Sequence, residues 1–264
     1  MKIIISFLLG MMLVSGTAVA QLLQYSSDTG TLLDDVFVRQ NSLVRDSGSG
    51  PLSVSEPLAL PAGTDLVGWD RKASGEQLFS VDVSVVLESV MIRRSDIGQL
   101  DGGVYSVVFD GDGSGLPAGA VIDAVTFDGT DLLMSFDIDV DLGGFTAADE
   151  DLVRFDGVNF SLELDLSEKG VPGQADLEAA HRQSDGTYLL SFSIHGSAGA
   201  VPFADEDVLG FDPTGDVWTL VYDGSEARSG WESAAIDALS VASDDIFKDG
   251  FESAQLLILT NDLN

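Results

Sequence analysis

The sequence contains no cysteine and only two histidines, and its 44 acidic residues face only 12 basic ones. The absence of cysteine excludes disulfides, thiolate metal ligands and cysteine nucleophiles. The formal net charge of −32 argues against binding to nucleic acid and to anionic membrane surfaces, because both would repel the chain. With 45% hydrophobic residues, the chain is nevertheless expected to fold around a sizeable core.

Long apolar runs are also missing. After the N-terminus no run approaches the roughly 18 residues of a membrane-spanning helix, so we expect no membrane span. Residues 1–20 instead resemble a signal peptide. Lys2 precedes the apolar run Ile3–Val14, and Ala18-Val19-Ala20 forms a cleavage site of the small-x-small type. We therefore expect an exported protein that starts at Gln21 and is periplasmic, at the cell surface or extracellular.

Common catalytic motifs are absent as well. The sequence contains no G-x-S-x-G, no Walker loop and no H-E-x-x-H. A hairpin turning at Asp185-Gly186 would place His181 opposite Leu189 and leave His195 far from it. Both histidines are therefore predicted to lean towards the surface, without a shared metal or a serine partner. The sequence predicts a protein that is not an enzyme.

What the sequence does contain is a threefold repeat of about 55 residues. The copies cover residues 60–115, 116–170 and 171–225. A fixed period in this range is the signature of a repeat architecture. The copies open with Leu60-Pro61, Leu116-Pro117 and Val171-Pro172, and they share matched positions at Asp96, Asp151 and Asp207, at Tyr105, Phe160 and Trp218, and at Asp110, Asp165 and Asp223.

Each copy predicts four strands separated by Gly-containing turns. In the central copy these are residues 121–127, 134–142, 152–155 and 160–165. Apolar and polar residues alternate over 134–142 and 160–165, which predicts one buried and one solvated face. A four-stranded unit of this length favours an all-β, β-propeller-like fold, in which each repeat is one blade. A stacked β-sandwich and a β-solenoid are the alternatives.

The two flanks are expected to close the ring. Residues 21–59 resemble the outer two strands of a repeat, and residues 231–241 resemble a first strand. Two strands from each end would complete a fourth, shared blade and leave no free sheet edge. The propeller-like domain would then cover residues 21–252, with closing segments 21–59 and 226–252 and a C-terminal tail at 253–264. The alternative is that both flanks cap a three-unit stack.

One repeat pattern resembles a known group of proteins. The pattern D-x-D-A … G-x-L-L-L-S-F … D-E-D-L/V … F-x-P-x-x-G-x-W-x-L-x-Y-D-G-S, best kept in 176–225, is similar to a repeat of exported, mostly uncharacterised proteins of Gram-negative bacteria. Residues 244–252 resemble the C-terminal motif I-F-x-x-G-F-E of such proteins, although 12 residues follow them here. The resemblance implies a propeller-like fold and export, and it implies no activity.

Two acidic features are candidate Ca²⁺ ligands, and no other cofactor is expected. One is the acid cluster before the third strand of a repeat. The other is Asp110–Gly115, with the spaced oxygens of a Ca²⁺ loop but Val121 where an EF-hand has Glu. The alternative is a solvated acidic face and a polar turn between blades. The candidate ligands are Asp149, Glu150, Asp151, Asp205, Glu206, Asp207, Asp110 and Asp112.

Taken together, the sequence favours an exported, monomeric β-repeat protein that acts as a binding or surface-structural module for an unknown extracellular or periplasmic ligand. Two alternatives stay open. One is a secreted carbohydrate-directed hydrolase, and the other is a Ca²⁺-binding module of the cell surface.

Overall fold

A computed structural model describes residues 22–231 and 234–242, in which 24 strands and two one-turn helices occur. Sixteen of these strands form four antiparallel four-stranded sheets, and eight pair as four short hairpins. The innermost strands of the four sheets pack against one another around a common axis, so the chain is a four-bladed β-propeller. The predicted signal peptide at residues 1–20, the 244–252 motif and the predicted tail at 253–264 lie outside the described residues.

The segment before the first repeat contains five strands: β1 (Leu23–Ser27), β2 (Thr31–Leu33), β3 (Val36–Val38), β4 (Leu43–Asp46) and β5 (Ser53–Ser55). β1, β4 and β5 lie side by side in one sheet, while β2 and β3 pair only with each other. This segment therefore supplies three of the four strands of a blade.

Each repeat forms one complete blade with a short hairpin between its second and third sheet strands. The first contains β6 (Leu66–Arg71), β7 (Gln77–Val81), β8 (Val85–Leu87), β9 (Val90–Ile92), β10 (Ile97–Asp101) and β11 (Val104–Phe109), followed by helix α1 (Gly111–Ser114). The second contains β12 (Val125–Asp128), β13 (Asp131–Met134), β14 (Val140–Asp141), β15 (Thr146–Ala147), β16 (Leu152–Phe155) and β17 (Phe160–Leu164). The third contains β18 (Leu177–Arg182), β19 (Tyr188–Phe192), β20 (Gly196–Ala198), β21 (Val201–Phe203), β22 (Val208–Asp212) and β23 (Val217–Tyr222), followed by helix α2 (Gly224–Ala227).

The last described strand, β24 (Ile236–Val241), closes the ring. It runs antiparallel to β1, with Leu23 opposite Val241, and is the inner strand of the fourth blade. The prediction of a blade shared between the two ends of the chain is confirmed, but the predicted division is wrong. The C-terminal segment gives one strand rather than two, because β1 pairs with both β24 and β4.

The predicted second strand of the central repeat is also wrong in its bounds. Residues 134–142 span the end of β13, a link and β14, and Ser135 is as buried as Phe136 while Ile138 is 43% exposed. Neighbouring blades cover both faces of the inner strands, so alternation does not mark a solvent face there. In the outer strand β17 the expected burial of Leu162 also fails, since it is 40% exposed.

The hydrophobic core lies between blades rather than inside one blade. One cluster joins Leu133 and Leu164 of the second repeat to Phe192 and Phe211 of the third. Three further clusters combine residues of adjoining blades in the same way. The blades therefore depend on one another for burial, and the packing of their inner strands fixes the geometry along the axis.

Candidate functional site

The four inner strands each place one polar side chain on the axis, in a group we name the axial ring: Asp70, Thr126, His181 and Ser240. Each member lies six residues beyond a matched turn of the chain. Ser240 Oγ donates to Asp70 Oδ1 at 2.7 Å, and Thr126 Oγ1 donates to Asp70 Oδ2 at 2.7 Å. His181 Nδ1 lies 3.0 Å from Asp70 Oδ1. One buried carboxylate thus links all four blades.

The axial ring is not a nucleophilic triad. Burial alone would raise the pKa of Asp70, but His181 and the hydrogen bonds from Phe127 and Ser240 hold that pKa below its ordinary value. Asp70 is therefore an ionised acceptor. Ser240 Oγ lies 3.4 Å from the same His181 nitrogen that faces Asp70, whereas a Ser–His–Asp relay uses the two different ring nitrogens.

The prediction of a surface-leaning His181 is wrong. Its side chain is 14% exposed and lies on the axis, although it does stand opposite Leu189 as the hairpin predicted. His195 is exposed between β19 and β20. The hairpin register predicts which residue stands opposite His181 but not which neighbouring blades cover its side chain, so the sequence did not place it on the axis.

Positive charge collects where the inner strands end, at a surface we name the basic mouth: Arg45, Arg71, Lys72 and Arg182. Arg71, Lys72 and Arg182 line an open depression of about 420 Å³ together with His181 of the axial ring. Arg45 lines an adjoining depression with Arg71 and Lys72. Ten of the 12 Lys and Arg residues are described, and four of those ten lie here.

The cations of the basic mouth differ in whether they already form ion pairs. Arg182 pairs with Asp128 at 2.8 Å, and Lys72 pairs with Glu76 at 3.0 Å while its ammonium lies 3.9 Å from the Phe127 ring centre. Arg71 is exposed, and it takes part in no ion pair found within 22–231 and 234–242. Its guanidinium can therefore meet a ligand without giving up a partner.

The opposite end of the axis, where the inner strands begin, carries five carboxylates that we name the acidic mouth: Asp65, Asp123, Asp176, Glu178 and Asp237. Burial raises the pKa of Asp65 and Asp176 to about 8 and that of Glu178 to about 7, and nearby carboxylates add to each increase. Burial and the same repulsion place the pKa of Asp123 and Asp237 well above the ordinary value. The acidic mouth therefore holds protons near neutral pH.

Three oxygens of the acidic mouth have no hydrogen-bond partner in the described part of the chain. They are Asp65 Oδ1, Asp123 Oδ2 and Asp176 Oδ1, all of them buried. Neighbouring acids differ, because each receives a backbone N–H from the start of an inner strand. Asp82 accepts from Asp65 N and Asp137 accepts from Val121 N, both at 2.7 Å. Asp82 and Asp137 thus hold the starts of inner strands through backbone hydrogen bonds, whereas the three orphan oxygens make no such bond.

Two of the predicted Ca²⁺ ligands are tied to the backbone. Asp151 accepts from Ala148 N at 3.0 Å and from Leu166 N at 3.2 Å. Asp207 repeats this arrangement with Ala204 N and Gly224 N, and Asp96 with Arg93 N and Gly111 N. The matched aspartate of each repeat therefore joins the turn before its third strand to the loop after its fourth.

The remaining predicted ligands lie around these aspartates or on the rim. Burial and the adjacent Asp149 and Asp205 raise the pKa of Glu150 and Glu206 to about 7. Asp110 and Asp112 are exposed. Asp110 caps α1 through Gly113 N at 3.0 Å, so the stretch interpreted as a Ca²⁺ loop or a polar turn between blades contains one helical turn.

Among the described residues, no group of three or more His, Cys, Asp or Glu side chains is placed so that it could hold a metal ion. The assignment of Ca²⁺ to the predicted residues stays a prediction.

The raised pKa values predict that stability falls as pH rises. Between about pH 4 and pH 8 the folded chain binds more protons than the unfolded chain at these carboxylates, so the unfolding free energy decreases with pH. We expect a loss of at least about 3 kcal/mol from pH 5 to pH 8, the equivalent of about two pKa units in total. Urea unfolding at both pH values measures it. The Asp65→Asn/Asp176→Asn variant should show a smaller loss, and equal stability of the wild type at both pH values would contradict the prediction.

Comparisons with known proteins identify no family for this chain. No family model and no curated protein matches the sequence. Among solved structures, "YCF48 bound to D1 peptide" is 11% identical with a TM-score of 0.35, over 72% of this chain and 52% of that one. The extracellular domain of BT4673 from B. thetaiotaomicron is 9% identical with a TM-score of 0.30, over 77% and 22%. The chain thus spans about half of the first and about a fifth of the second, and likeness at this level says nothing about ligand or activity.

Within the residues that the structure describes, no helix has the length and apolar character needed to cross a membrane.

Proposed function

We propose that the protein is an exported, non-enzymatic binding module that holds a small carboxylate-bearing ligand at the basic mouth. The observation that carries this proposal is the gathering of four of the ten described cations around one end of the axis, in a chain with a formal charge of −32. Scattered bases would be expected if they served only to relieve repulsion. Cations placed together create a local positive potential that attracts an anion, although the rest of the acidic chain repels it.

The chemistry of the basic mouth suits a carboxylate. A guanidinium presents a planar pair of N–H groups that matches the two carboxylate oxygens, and Arg71 has no competing ion pair in the described chain. Lys72 adds a second charge, and the Phe127 ring gives the depression one apolar side. A volume of about 420 Å³ lies in the range of about 300–1,000 Å³ typical of small-molecule sites.

Two further observations support the other parts of the proposal. The axial ring lacks the geometry of a Ser–His–Asp relay, which favours binding over hydrolysis. The features of residues 1–20 favour export.

Calorimetry on the chain 21–264 tests the site. Succinate, citrate and galacturonate are titrated into the wild type, the Arg71→Gln/Lys72→Gln variant and an Arg39→Gln control. Arg39 is exposed and forms an ion pair with Glu56 in the fourth blade, away from the basic mouth. We expect at least one of these anions to bind, with Kd increased about tenfold or more in the double variant, about 1.4 kcal/mol. Added salt should weaken binding.

The control variant should bind like the wild type. The proposal is wrong if none of the three anions binds, or if the double variant binds the anion as tightly as the control does.

A further inference from the structure

The last described residue of the chain lies at the basic mouth. The N–H of Ala242 donates to Leu22 O at 2.9 Å, so the backbone is still held beside β1 at this point. Ala242 lines one depression together with Arg45, Arg71 and Lys72. Whatever follows Ala242 in the chain therefore starts next to these cations.

The residues that follow are acidic. Residues 243–252 have the sequence SDDIFKDGFE, with four acids and one base, and they lie outside the described residues. Asp244 and Asp245 are the second and third residues after Ala242, which tethers their backbone within about 7–10 Å of it. A short tether of this kind corresponds to an effective concentration in the millimolar range. Two carboxylates are thus offered to the basic mouth by the chain itself.

An apolar cleft adjoins the basic mouth. It has a volume of about 180 Å³, lies between the first two blades, and shares Lys72 and Phe127 with the larger depression. Leu132 and Phe155 line it and remain only partly buried. In the segment 243–252, Phe247 comes two residues after the acidic pair. The order of acids and then an aromatic residue matches the order of cations and then an apolar cleft.

We infer that the segment 243–252 docks in the basic mouth of its own chain, with Asp244 and Asp245 on Arg71 and Lys72 and with Phe247 in the apolar cleft. The inference rests on the proposed function in one respect, since it takes the basic mouth to be a site for carboxylates. It adds that the site has an internal ligand, which an added anion has to displace. The guanidinium and the ammonium can form charge-assisted hydrogen bonds with the two carboxylates.

The arrangement of the blades makes this docking testable. β24 packs against β6 and β18, and β12 also packs against both, so the second blade lies across the axis from the fourth. Thr130, in the turn between β12 and β13, lines the apolar cleft, whereas Ser184, in the turn between β18 and β19, lines the mouth on the side of the third blade. Without docking, the segment would meet Ser184 at least as often as Thr130, because the third blade adjoins β24. Docking in the cleft favours Thr130.

The experiment is disulfide trapping in the chain 21–264, whose lack of cysteine makes any introduced pair the only one. Ser253→Cys is combined with Thr130→Cys, as the cleft pair, or with Ser184→Cys, as the control pair. Disulfide formation in a glutathione buffer is followed by mass spectrometry. We expect the cleft pair to form at least about fivefold faster than the control pair, the equivalent of about 1 kcal/mol. Its rate should fall with added salt and should not depend on protein concentration.

Two variants with the same loss of charge show whether the acids direct the docking. Asp244→Asn/Asp245→Asn removes the acidic pair, and Asp110→Asn/Asp112→Asn removes two exposed acids from the rim. The first should slow the cleft pair about fivefold or more and leave the control pair unchanged or faster. The second should change neither rate. Arg71→Gln/Lys72→Gln should slow the cleft pair as the first variant does.

Three outcomes would overturn the inference. One is equal rates for the cleft pair and the control pair. Another is a cleft-pair rate that does not change when the acidic pair is removed. The third is a disulfide-linked dimer as the main product, which would show that the segment of a second copy occupies the mouth. No anion is added in these reactions, so they decide the docking of the segment, whereas the calorimetric titrations decide the proposed function.

Discussion

A chain that ends at Ala235 is expected to lose cooperative folding, because it lacks β24, the inner strand of the fourth blade. β24 pairs with β1 and packs against β6 and β18, so its loss opens the ring and exposes a sheet edge. Ile236 and Leu239 are fully buried. Losing two such side chains costs about 4–10 kcal/mol, comparable with the total stability of about 5–15 kcal/mol of a typical domain.

A chain that ends at Ala242 is the matched control, since it lacks the same tail and keeps β24. Urea unfolding followed by circular dichroism, together with size-exclusion chromatography, compares the two. The shorter chain should show no cooperative transition and should aggregate, whereas the control should unfold cooperatively. A shorter chain that stays monomeric and unfolds at the same midpoint as the control would show that β24 does not hold the ring closed.

The repeat could be predicted because its matched residues make the same hydrogen bonds in each copy. Asp96, Asp151 and Asp207 each bind two backbone N–H groups, which only a carboxylate at that position can do. The fourth blade has Ser42 at the equivalent turn, where its N–H binds Arg39 O as the N–H of Asp96 binds Arg93 O. Without the aspartate, the N-terminal segment lacks the mark of the repeat, so the sequence predicts only two of its three sheet strands.

The axial ring could not be predicted from the sequence, because its members share a position but not a residue type. Asp70 and His181 can be recognised as neighbours only after β6 and β18 have been aligned on the matched turns and placed around one axis. The acidic mouth was hidden for a different reason. Among 44 acids, the burial that distinguishes Asp123 follows from the packing of four blades and leaves no local pattern.

Of the candidate sites described above, the basic mouth is the one that has a recognisable pattern in the sequence. Bases are scarce, and Arg71 and Arg182 occupy the same position at the ends of β6 and β18, with Lys72 next to the first. Aligning the repeats on their opening Leu-Pro and Val-Pro pairs brings the two arginines together. What the sequence does not reveal is that Arg45, from the third sheet strand of the fourth blade, joins them through ring closure.

Arg228→Ala is expected to destabilise the folded chain by about 3–5 kcal/mol, because it leaves a buried carboxylate without its counter-ion. Arg228 follows α2, and its guanidinium reaches into the fourth blade. There Nε lies 3.0 Å from Asp46 Oδ2, Nη2 binds Asp46 Oδ1, and Nη1 donates to Gly50 O at 2.8 Å. Both side chains are almost completely buried. The pair thus joins the segment after the third repeat to the N-terminal segment.

The hydroxyls around Asp46 cannot replace the arginine. Tyr25 and Tyr222 donate to Asp46 Oδ2 at 3.1 and 2.8 Å, but they bring no positive charge. Burial alone would raise the pKa of Asp46, and Arg228 with Tyr222 and Gly48 N holds it below the ordinary value. In the variant that pKa should rise, so Asp46 takes up a proton more readily and the loss of stability should shrink as pH falls.

Urea unfolding at pH 7.5 and pH 5 measures both parts of this prediction. Arg39→Ala breaks an exposed pair with Glu56 and should cost at most about 1 kcal/mol. Arg228→Met/Asp46→Asn removes both charges, and we expect it to cost less than the sum of the two single changes, because no lone buried charge remains. A loss below about 1 kcal/mol for Arg228→Ala, or a loss that grows as pH falls, would mean that solvent reaches Asp46 and that the blade junction rests on its apolar contacts alone.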